Sequence, residues 1–382
     1  MNRYILHVDM NNYFASVEEK YNSKLKLIPF AVCGDPKMRH NIVMSKNELA
    51  KKAGVKTGLS FIQAKQICSN LVYIKANYAK YLKETKQARD IYKKYTNKIT
   101  MYGMDEAWLD LTETCNSFDE ALQIANLIRI EILYTQKLSA SIGVSDNLIY
   151  AKLGSDYKKP NAITLINKDN CQEIVYKLPA TDLLFVGEKR GLVLKENGIN
   201  TIGDIVNSNK ELLVKLFGKN GSDIHKYAKG DDSSFNPETE KIKSIGNTIT
   251  LPNDLVEVKE ISAVLYLLIE IISVRLKSHN YKGYCVSISF KNNKFESITR
   301  SKSNKIAFND IGSIYEIAYN LFINNYVKGI YIRSIGVRVS NLTNDDQTSV
   351  VDNKEYIDDE IKKLVEKYRK LEVEKTSMSK EW

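Results

Sequence analysis

The sequence YILHVDMNNYFASVEE, from Tyr4 to Glu19, gives the clearest structural signal in the chain. Its first residues form a short apolar run that ends at Asp9, which is typical of a buried β-strand. The residues from Asn12 to Lys20 continue as the start of a helix. A buried strand that ends in a carboxylate and leads directly into a helix indicates an α/β sheet packed against helices.

A second strand region, KITMYGMDEAWLDL, spans Lys98 to Leu111 and contains the adjacent residues Asp105 and Glu106. Neighbouring residues on a regular strand face opposite sides of a sheet. Both carboxylates can therefore reach one site with Asp9 only at a turn or bulge. Gly103, just before them, supplies the backbone freedom for such a turn.

Three carboxylates that converge at the ends of strands would repel one another unless cations lay between them. Their hard oxygen ligands suit Mg²⁺, and two such ions can activate a hydroxyl group and stabilise a leaving oxygen. By spacing alone, solvated acids at strand ends are the more common explanation, because short motifs often match by chance.

The middle of the chain predicts further α/β elements and then a helical stretch. Ser117 and Glu120 form a capping box before a helix with one apolar face, made of Ala121, Ile124, Ile128 and Ile132. The alternation in LSASIGVS, residues 138–145, predicts a half-buried strand. From about Asn167 to Asp232 the pattern is helical, and the polar stretch KGDDSSFNPETEK then predicts a linker.

The C-terminal part predicts a second α/β unit, with strands at Tyr284–Lys291 and Ile332–Leu342. The apolar run that starts at Ile261 is interrupted by Glu270 and is shorter than the ~20 residues of a membrane span. It therefore predicts a core helix, and we expect a cytoplasmic protein. An apolar stripe in the tail predicts a last helix, with Ile357, Ile361, Leu364 and Tyr368.

Composition narrows the class of protein. A chain of 382 residues predicts two to four domains, and its hydrophobic and charged fractions of 43% and 27% are typical of globular proteins. The net charge of +10 favours a polyanionic partner, although many basic proteins bind no nucleic acid. Five widely spaced cysteines without a CxxC pair indicate reduced thiols rather than disulfides or a zinc site.

Four motifs give the chain its family resemblance: HVDMNNYFASVEE, SKNELAKKAGVKTG, MDEAWLDLT and SDYKKPN. In this order and rough spacing they resemble the Y-family, or translesion, DNA polymerases, and the chain is similar to the bacterial DNA polymerase IV and UmuC-like branch. The resemblance extends from Asn2 to about Leu342. It implies a multidomain α/β fold with a ferredoxin-like palm, small fingers, a helical thumb with a helix-hairpin-helix, and a separate α/β little finger.

The resemblance also implies domain boundaries. The palm would comprise residues 1–22 and 72–166, the fingers 23–71, the thumb 167–232 and the linker 233–243. The little finger would comprise residues 244–343, and a tail of residues 344–382 would hold a clamp-binding segment.

The implied activity is low-fidelity, template-directed DNA synthesis past lesions, as part of the DNA damage response and with a mutator effect. Asp9, Asp105 and Glu106 match the family's metal-binding carboxylates, and the carbonyl of Met10 would be a further ligand. They would hold two Mg²⁺ ions, for which Mn²⁺ could substitute, while a primer 3′-hydroxyl attacks the α-phosphate of a dNTP.

Other positions match the family's nucleotide contacts. Phe14 corresponds to the steric gate against a ribose 2′-hydroxyl, and Tyr13 to packing near the incoming nucleotide. Ser45, Lys51 and Lys159 correspond to phosphate contacts. Without the resemblance, Tyr13 and Phe14 would be assigned to the core, and Lys51 and Lys159 to the solvated surface.

The chain departs from the family pattern at several positions. Glu48 replaces a frequent tyrosine, Lys51 a usual arginine, and Gly103 a frequent serine. Because lysine lacks the bidentate fork of arginine, and a carboxylate repels a triphosphate, we expect weakened dNTP binding. Phe185 replaces the first glycine of the thumb hairpin, while Gly187 remains.

The expected partners are primer-template DNA, dNTPs and the replication sliding clamp, with the protein as a monomer that does not contact a membrane. By resemblance, DNA contacts fall on Gly187, Thr299, Arg300 and Lys302. The tail segment QTSVVD places Gln347, Val350 and Val351 where relatives dock on the clamp, but a plain polar linker fits it equally well.

Two other functions are alternatives to DNA synthesis. A catalytically silent family member would bind DNA and recruit repair partners, but such proteins have usually lost the three metal carboxylates. A nucleotidyl cyclase can share a similar palm, but it would lack the thumb and the basic C-terminal unit.

Overall fold

The computed structural model describes residues 3–35, 41–235, 237, 242–344 and 359–376. The chain divides into two compact units, Met1–Cys33 with Ile42–Thr239 and Gly34–Asn41 with Glu240–Trp382. Apart from two short 3-10 turns and a π-helical turn at Ile132–Gln136, the elements of the first unit are β1 (Ile5–Met10), α1 (Tyr13–Tyr21), β2 (Phe30–Cys33), β3 (Val43–Lys46), α2 (Glu48–Lys52), α3 (Phe61–Ile67), β4 (Val72–Lys75), α4 (Tyr78–Tyr92), β5 (Ile99–Tyr102), β6 (Glu106–Asp110), α5 (Phe118–Glu131), β7 (Ala140–Ser145), α6 (Leu148–Tyr157), β8 (Ile163–Ile166), α7 (Cys171–Ile174), α8 (Glu188–Glu196), α9 (Ile202–Asn207), α10 (Lys210–Phe217) and α11 (Lys219–Ala228).

A five-stranded sheet with the order β5-β6-β1-β7-β8 forms the centre of the first unit. β1 is antiparallel to both of its neighbours, and β7 is parallel to β8. All six residues of β1 are buried, as its apolar sequence predicts. The core between this sheet and α4 and α5 includes Leu6, Val8, Tyr81 and Ile128.

The prediction of a half-buried strand at residues 138–145 is wrong, because every residue of β7 is buried. Helices cover both faces of this part of the sheet. On one face α6 approaches so closely that a Cβ atom on Gly143 would lie 1.8 Å from the carbonyl oxygen of Ala151. The alternation of small and large residues here reflects this close approach rather than exposure to water.

The capping box predicted for α5 is half present. The Ser117 side chain accepts a hydrogen bond from the amide of Glu120, as expected of an N-cap. The carboxylate of Glu120 accepts from the amide of Asn116 instead of that of Ser117. The helix therefore begins where the sequence predicts, and its apolar face lies in the core through Ala121 and Ile128.

A second, smaller sheet has the order β3-β2-β4. Its edge strand β4 is parallel to β2, so residues 72–75, which the resemblance places in the palm, pair with this smaller sheet. A small core of its own includes Val43, Ala50 and Leu71.

Helices α7 to α11 form the helical stretch that the sequence predicts, around a core that includes Leu183, Leu194 and Ile224. The beginning of the predicted linker is packed against the first unit. Arg3 pairs with Asp232 at 2.9 Å, and the ring of Phe235 lies 5.4 Å from that of Trp108. Residues 236 and 238–241 lie outside the described part of the chain.

The second unit contains β9 (Ser244–Leu255), α12 (Val258–Ser278), β10 (Lys282–Asn292), β11 (Ser297–Phe308), α13 (Ile311–Ile323), β12 (Ile332–Thr343) and α14 (Asp359–Thr376). Its antiparallel sheet has the order β11-β10-β12-β9. The apolar run from Ile261 is the buried side of α12, as predicted.

The predicted last helix is present as α14, with Val365 and Tyr368 buried against the second unit's core. Ile357 and the proposed clamp contacts Gln347, Val350 and Val351 lie outside the described residues. All five cysteines are free. In the described ranges, no helix combines the length and apolar character needed to cross a membrane.

Candidate active site

Strand pairing brings the predicted carboxylates to one end of the five-stranded sheet. Asp9 in β1 lies directly opposite Glu106, the first residue of β6. Asp105 lies in the tight turn between β5 and β6, and its carbonyl oxygen accepts a 2.9 Å hydrogen bond from the amide of Met10. Gly103 has the positive φ, 77°, that the turn requires. The expected turn is present, with Asp105 in it rather than inside a strand.

Two lysines neutralise part of the negative charge. Lys159 places its Nζ atom 2.7 Å from Asp9 Oδ2 and 2.7 Å from Asp156 Oδ1. Lys152, on α6, places its Nζ atom 2.7 Å from Glu106 Oε2 and 4.0 Å from Asp9 Oδ2. The ammonium groups thus contact two of the carboxylates that the resemblance predicts as metal ligands.

The three acids differ in their protonation. Burial raises the pKa of Asp9 to about 7, although a neighbouring ammonium group opposes the shift. Burial and the charge of Glu106 also raise the pKa of Asp105. Burial acts in the same direction on Glu106, but His7 and Lys152 outweigh it and lower its pKa to about 2. Burial therefore favours the neutral form of the two aspartates, whereas the contacts of Glu106 favour its charged form.

His7 lies on the same face of β1 as Asp9 and is fully buried. Its Nδ1 atom is 2.8 Å from Ser155 Oγ, and its Nε2 atom is 3.3 Å from Glu106 Oε2, without the alignment of a complete hydrogen bond. Burial lowers the pKa of His7 to about 4. The imidazole is therefore neutral near pH 7 and adds no charge beside Glu106.

The donor set fits a hard divalent cation. Within the described residues, no group of three or more His, Cys, Asp or Glu side chains is arranged as a metal site. The ammonium groups of Lys159 and Lys152 contact the carboxylates of Asp9 and Glu106. Carboxylate oxygens are the ligands that Mg²⁺ prefers. Burial is the main cause of the raised pKa values of Asp9 and Asp105, and a bound cation would favour their charged forms.

The predicted phosphate contacts lie around the loop between β1 and α1. The hydroxyl of Ser45 donates to the carbonyl of Asn12 at 3.2 Å. Asn12 donates in turn from Nδ2 to Glu48 Oε1 at 2.7 Å, and the same Oε1 lies 3.5 Å from Lys51 Nζ. Lys51 is therefore partly paired with the carboxylate that replaces the family's tyrosine.

The chain is similar to one family along most of its length. It matches the impB/mucB/samB family over residues 8–156 and the C-terminal domain of that family over residues 242–351. It is 40% identical to DNA polymerase IV of Acetivibrio thermocellus, over 91% of this chain and 88% of the relative. A solved Y-family DNA polymerase chimera of Dbh and Dpo4 is 27% identical, with a TM-score of 0.78 over 88% of this chain and 98% of its own. The chain belongs to the Y family of DNA polymerases.

Further relatives agree with this assignment. The polymerase is 33% identical to DNA polymerase IV of Clostridium kluyveri, over 100% of this chain and 96% of the relative. A solved insertion ternary complex of Dbh DNA polymerase is 26% identical, with a TM-score of 0.62 over 88% of this chain and 98% of its own. The expected activity is confirmed: this is a DNA-directed DNA polymerase of translesion synthesis.

In the polymerase's helical stretch, Gly187 is the N-cap of α8 and has an ordinary φ of −82°. Phe185, in place of the family's glycine, keeps a left-handed backbone with φ 68°. Its ring packs 5.6 Å from Phe235 and 5.9 Å from Tyr227. The substitution therefore exchanges a small residue for an aromatic contact, while the glycine-like backbone conformation persists.

The remaining predicted DNA contacts lie on β11 of the polymerase's second unit. This edge strand is exposed over Thr299, Arg300 and Lys302. Arg300 donates to Asn325 at 2.9 Å and sits opposite Ile288, whereas Thr299 sits opposite Ser289. Since adjacent residues alternate between faces, Thr299 faces the polar side of the sheet and Arg300 the side that carries the helices.

Sequence reasoning missed Lys152, His7 and Ser155. A lysine and a serine within the largely apolar helix α6, and a histidine within the apolar strand β1, were the available signals. Only the packing of α6 across β1 identifies their partners, because no local pattern specifies which helix covers that face of the sheet.

Proposed function

We propose that this polymerase joins dNMP to a primer 3′-hydroxyl at a site formed by Asp9, Asp105 and Glu106, with the carbonyl of Met10 as a further ligand. The observation that carries this proposal is the register of β1 and β6, in which Asp9 lies opposite Glu106 and the turn adds Asp105. The site would hold two Mg²⁺ ions, or Mn²⁺ in their place. Bound there, the ions would supply Lewis acidity at the attacking hydroxyl and the leaving oxygen.

The lysines of the cluster have separate tasks in this proposal. Lys159 contacts Asp9 at 2.7 Å, and its ammonium group becomes free to pair with the triphosphate once Asp9 has another cationic partner. Lys152 stays on Glu106, where a second acid, Asp156, lies 3.5 Å from its Nζ atom. It thereby limits the repulsion among the carboxylates.

The nucleotide would be held at the start of α1. Phe14 is the second residue of α1 and is only partly buried, which supports its role as the gate against a ribose 2′-hydroxyl. Tyr13 is buried, and its hydroxyl donates to the carbonyl of Tyr81 at 2.7 Å, which supports a packing role. Ser45 and Lys51 would contact the phosphates after exchanging their present partners.

The remaining assignments concern the domains and DNA. The five-stranded sheet with its helices would be the ferredoxin-like palm, the β3-β2-β4 sheet the fingers, α7 to α11 the thumb, and the second unit the little finger. The ternary complex of a relative supports primer-template DNA and dNTPs as substrates. Gly187, Thr299, Arg300 and Lys302 would contact the DNA backbone.

Primer extension by the wild type and by an Asp105→Ala/Glu106→Ala variant tests this proposal. The variant should bind a fluorescent primer-template as the wild type does, because DNA contacts lie elsewhere, but it should not extend the primer. Extension by a folded variant at the wild-type rate would show that the acids are not the catalytic ligands.

A further inference from the structure

The ring of Phe14 is stacked on a second aromatic ring that sequence reasoning did not single out. The ring centroids of Phe14 and Tyr81 are 4.5 Å apart, with an angle of 20° between the planes. Tyr81 is fully buried, with 0% exposure, whereas Phe14 is partly exposed. The accessible side of Phe14 is therefore turned away from Tyr81, which covers the opposite side of the ring.

Tyr81 is fixed at both ends. Its hydroxyl donates to Glu18 Oε1 at 2.8 Å, and the other oxygen of this buried carboxylate accepts from Lys80 Nζ at 2.6 Å. Its carbonyl oxygen accepts from the hydroxyl of Tyr13 at 2.7 Å. These contacts join α1, which carries Phe14, to α4, which carries Tyr81. The backing ring can therefore shift only if buried polar groups lose their partners, which is costly.

Helix α4 also supports the turn that contains Asp105. Thr85, one helical turn after Tyr81, donates from its hydroxyl to the carbonyl of Met104 at 2.8 Å. Met104 directly precedes Asp105. Helix α4 thus holds Tyr81, which lies behind the Phe14 ring, in a fixed position relative to the turn that contains Asp105.

We propose that Tyr81 is a positioning residue for sugar selection, which prevents the Phe14 ring from retreating when a 2′-hydroxyl presses on it. The inference rests on the proposed gate role of Phe14. Without the ring behind it, Phe14 could move into the space that Tyr81 fills and admit a ribonucleotide.

The test is the ratio of kcat/KM for a ribonucleoside triphosphate to that for the matching dNTP in primer extension. Tyr81→Leu should raise this ratio roughly two- to tenfold, as the free energy of an aromatic stack predicts. Tyr81→Phe keeps the stack and should keep the ratio within about twofold of the wild type. Tyr95→Leu is the matched control, since Tyr95 packs on the same core away from Phe14, and it should leave the ratio unchanged.

Phe14→Ala separates the two possible failures. A raised ratio in Phe14→Ala with an unchanged ratio in Tyr81→Leu would overturn the role of Tyr81 and leave the gate intact. An unchanged ratio in an active Phe14→Ala would overturn the gate itself. If thermal melting shows that Tyr81→Leu does not fold, the Tyr81→Met variant is used instead, because methionine fills more of the space. A ratio that rises equally in Tyr95→Leu would show general loosening of the core and would also overturn the inference.

Discussion

Two lysine–acid pairs of the proposed nucleotide site differ in how much water reaches them. In the first pair, Lys159 contacts Asp9 at 2.7 Å, and the Asp9 side chain is 7% exposed. In the second, Lys51 lies 3.5 Å from Glu48, and both side chains are about half exposed, at 52% and 48%. Burial strengthens electrostatic interactions, whereas exposure and salt weaken them. The buried charges should therefore control catalysis and stability, and the exposed ones only the affinity for phosphate groups.

Within the buried Lys159–Asp9 pair, the Asp9→Asn substitution should have the largest effect on activity. We expect kcat to fall on the order of 10²–10³-fold, the scale of losing one electrostatic contact at a reacting centre. Rapid-quench primer extension measures the loss. Asp110→Asn, at the other end of the same sheet, is the matched control and should keep its activity.

The Asp9→Asn variant should be more stable than the wild type in the absence of divalent ions. Because the pKa of Asp9 is raised to about 7 in the folded protein, from an unfolded value near 3.9, the folded state binds more protons between these values. The wild type therefore loses stability as the pH rises through this window. Melting curves from pH 4 to pH 8 should show a growing advantage for Asp9→Asn. A constant difference would contradict the assigned pKa shift.

Lys152→Met removes a buried counter-charge without removing volume. The variant leaves Glu106 without its 2.7 Å partner, which should cost about 1–3 kcal/mol of unfolding free energy, less than for a completely buried pair. Urea denaturation measures the cost, and Lys152→Arg should retain most of the stability. Equal stability of the methionine variant would show that water already compensates the carboxylate.

Substitutions in the exposed Lys51–Glu48 pair should change KM for dNTPs only weakly. Lys51→Arg adds a bidentate donor, and we expect KM for dNTPs to fall about two- to fivefold, as for one charge-assisted hydrogen bond near the surface. Glu48→Gln should act in the same direction, because it removes a repulsive charge. Steady-state kinetics at two salt concentrations checks both, with Lys52→Arg as the control. An unchanged KM in both variants would mean that these side chains do not contact phosphate.

The smallest expected effect concerns an exposed charge on β11. Lys302→Ala should reduce the slope of log K for DNA against log salt concentration by ~1, the value for one lost phosphate contact. Fluorescence anisotropy across a salt series measures the slope. Lys277→Ala, an exposed lysine at the end of α12, should leave it unchanged. An identical loss in both variants would reflect net charge alone.

The sequence was sufficient for features that depend on local patterns. The burial of β1, the turn at Gly103 and the core position of α12 follow from apolar runs and a glycine at the correct position. The resemblance predicts the three acids, and strand pairing places them at one end of the five-stranded sheet.

Features that depend on distant pairing could not be predicted. β4 joins the smaller sheet through parallel pairing with β2, which is separated from it by two helices and a strand. The contacts of Lys152 and His7 depend on α6 lying across β1. No periodicity within either segment specifies such contacts.

The absence of a side chain at Gly143 has a consequence for the genetics of the enzyme. A Cβ atom there would collide with the Ala151 carbonyl at 1.8 Å, so any replacement must push α6 outward and carry Lys152 and Ser155 with it. A random mutagenesis screen for lost lesion bypass should therefore recover this position together with the acids. An investigator who ranks hits by chemical reactivity would overlook Gly143, although it sets the distance between the sheet and the helix that carries Lys152 and Ser155.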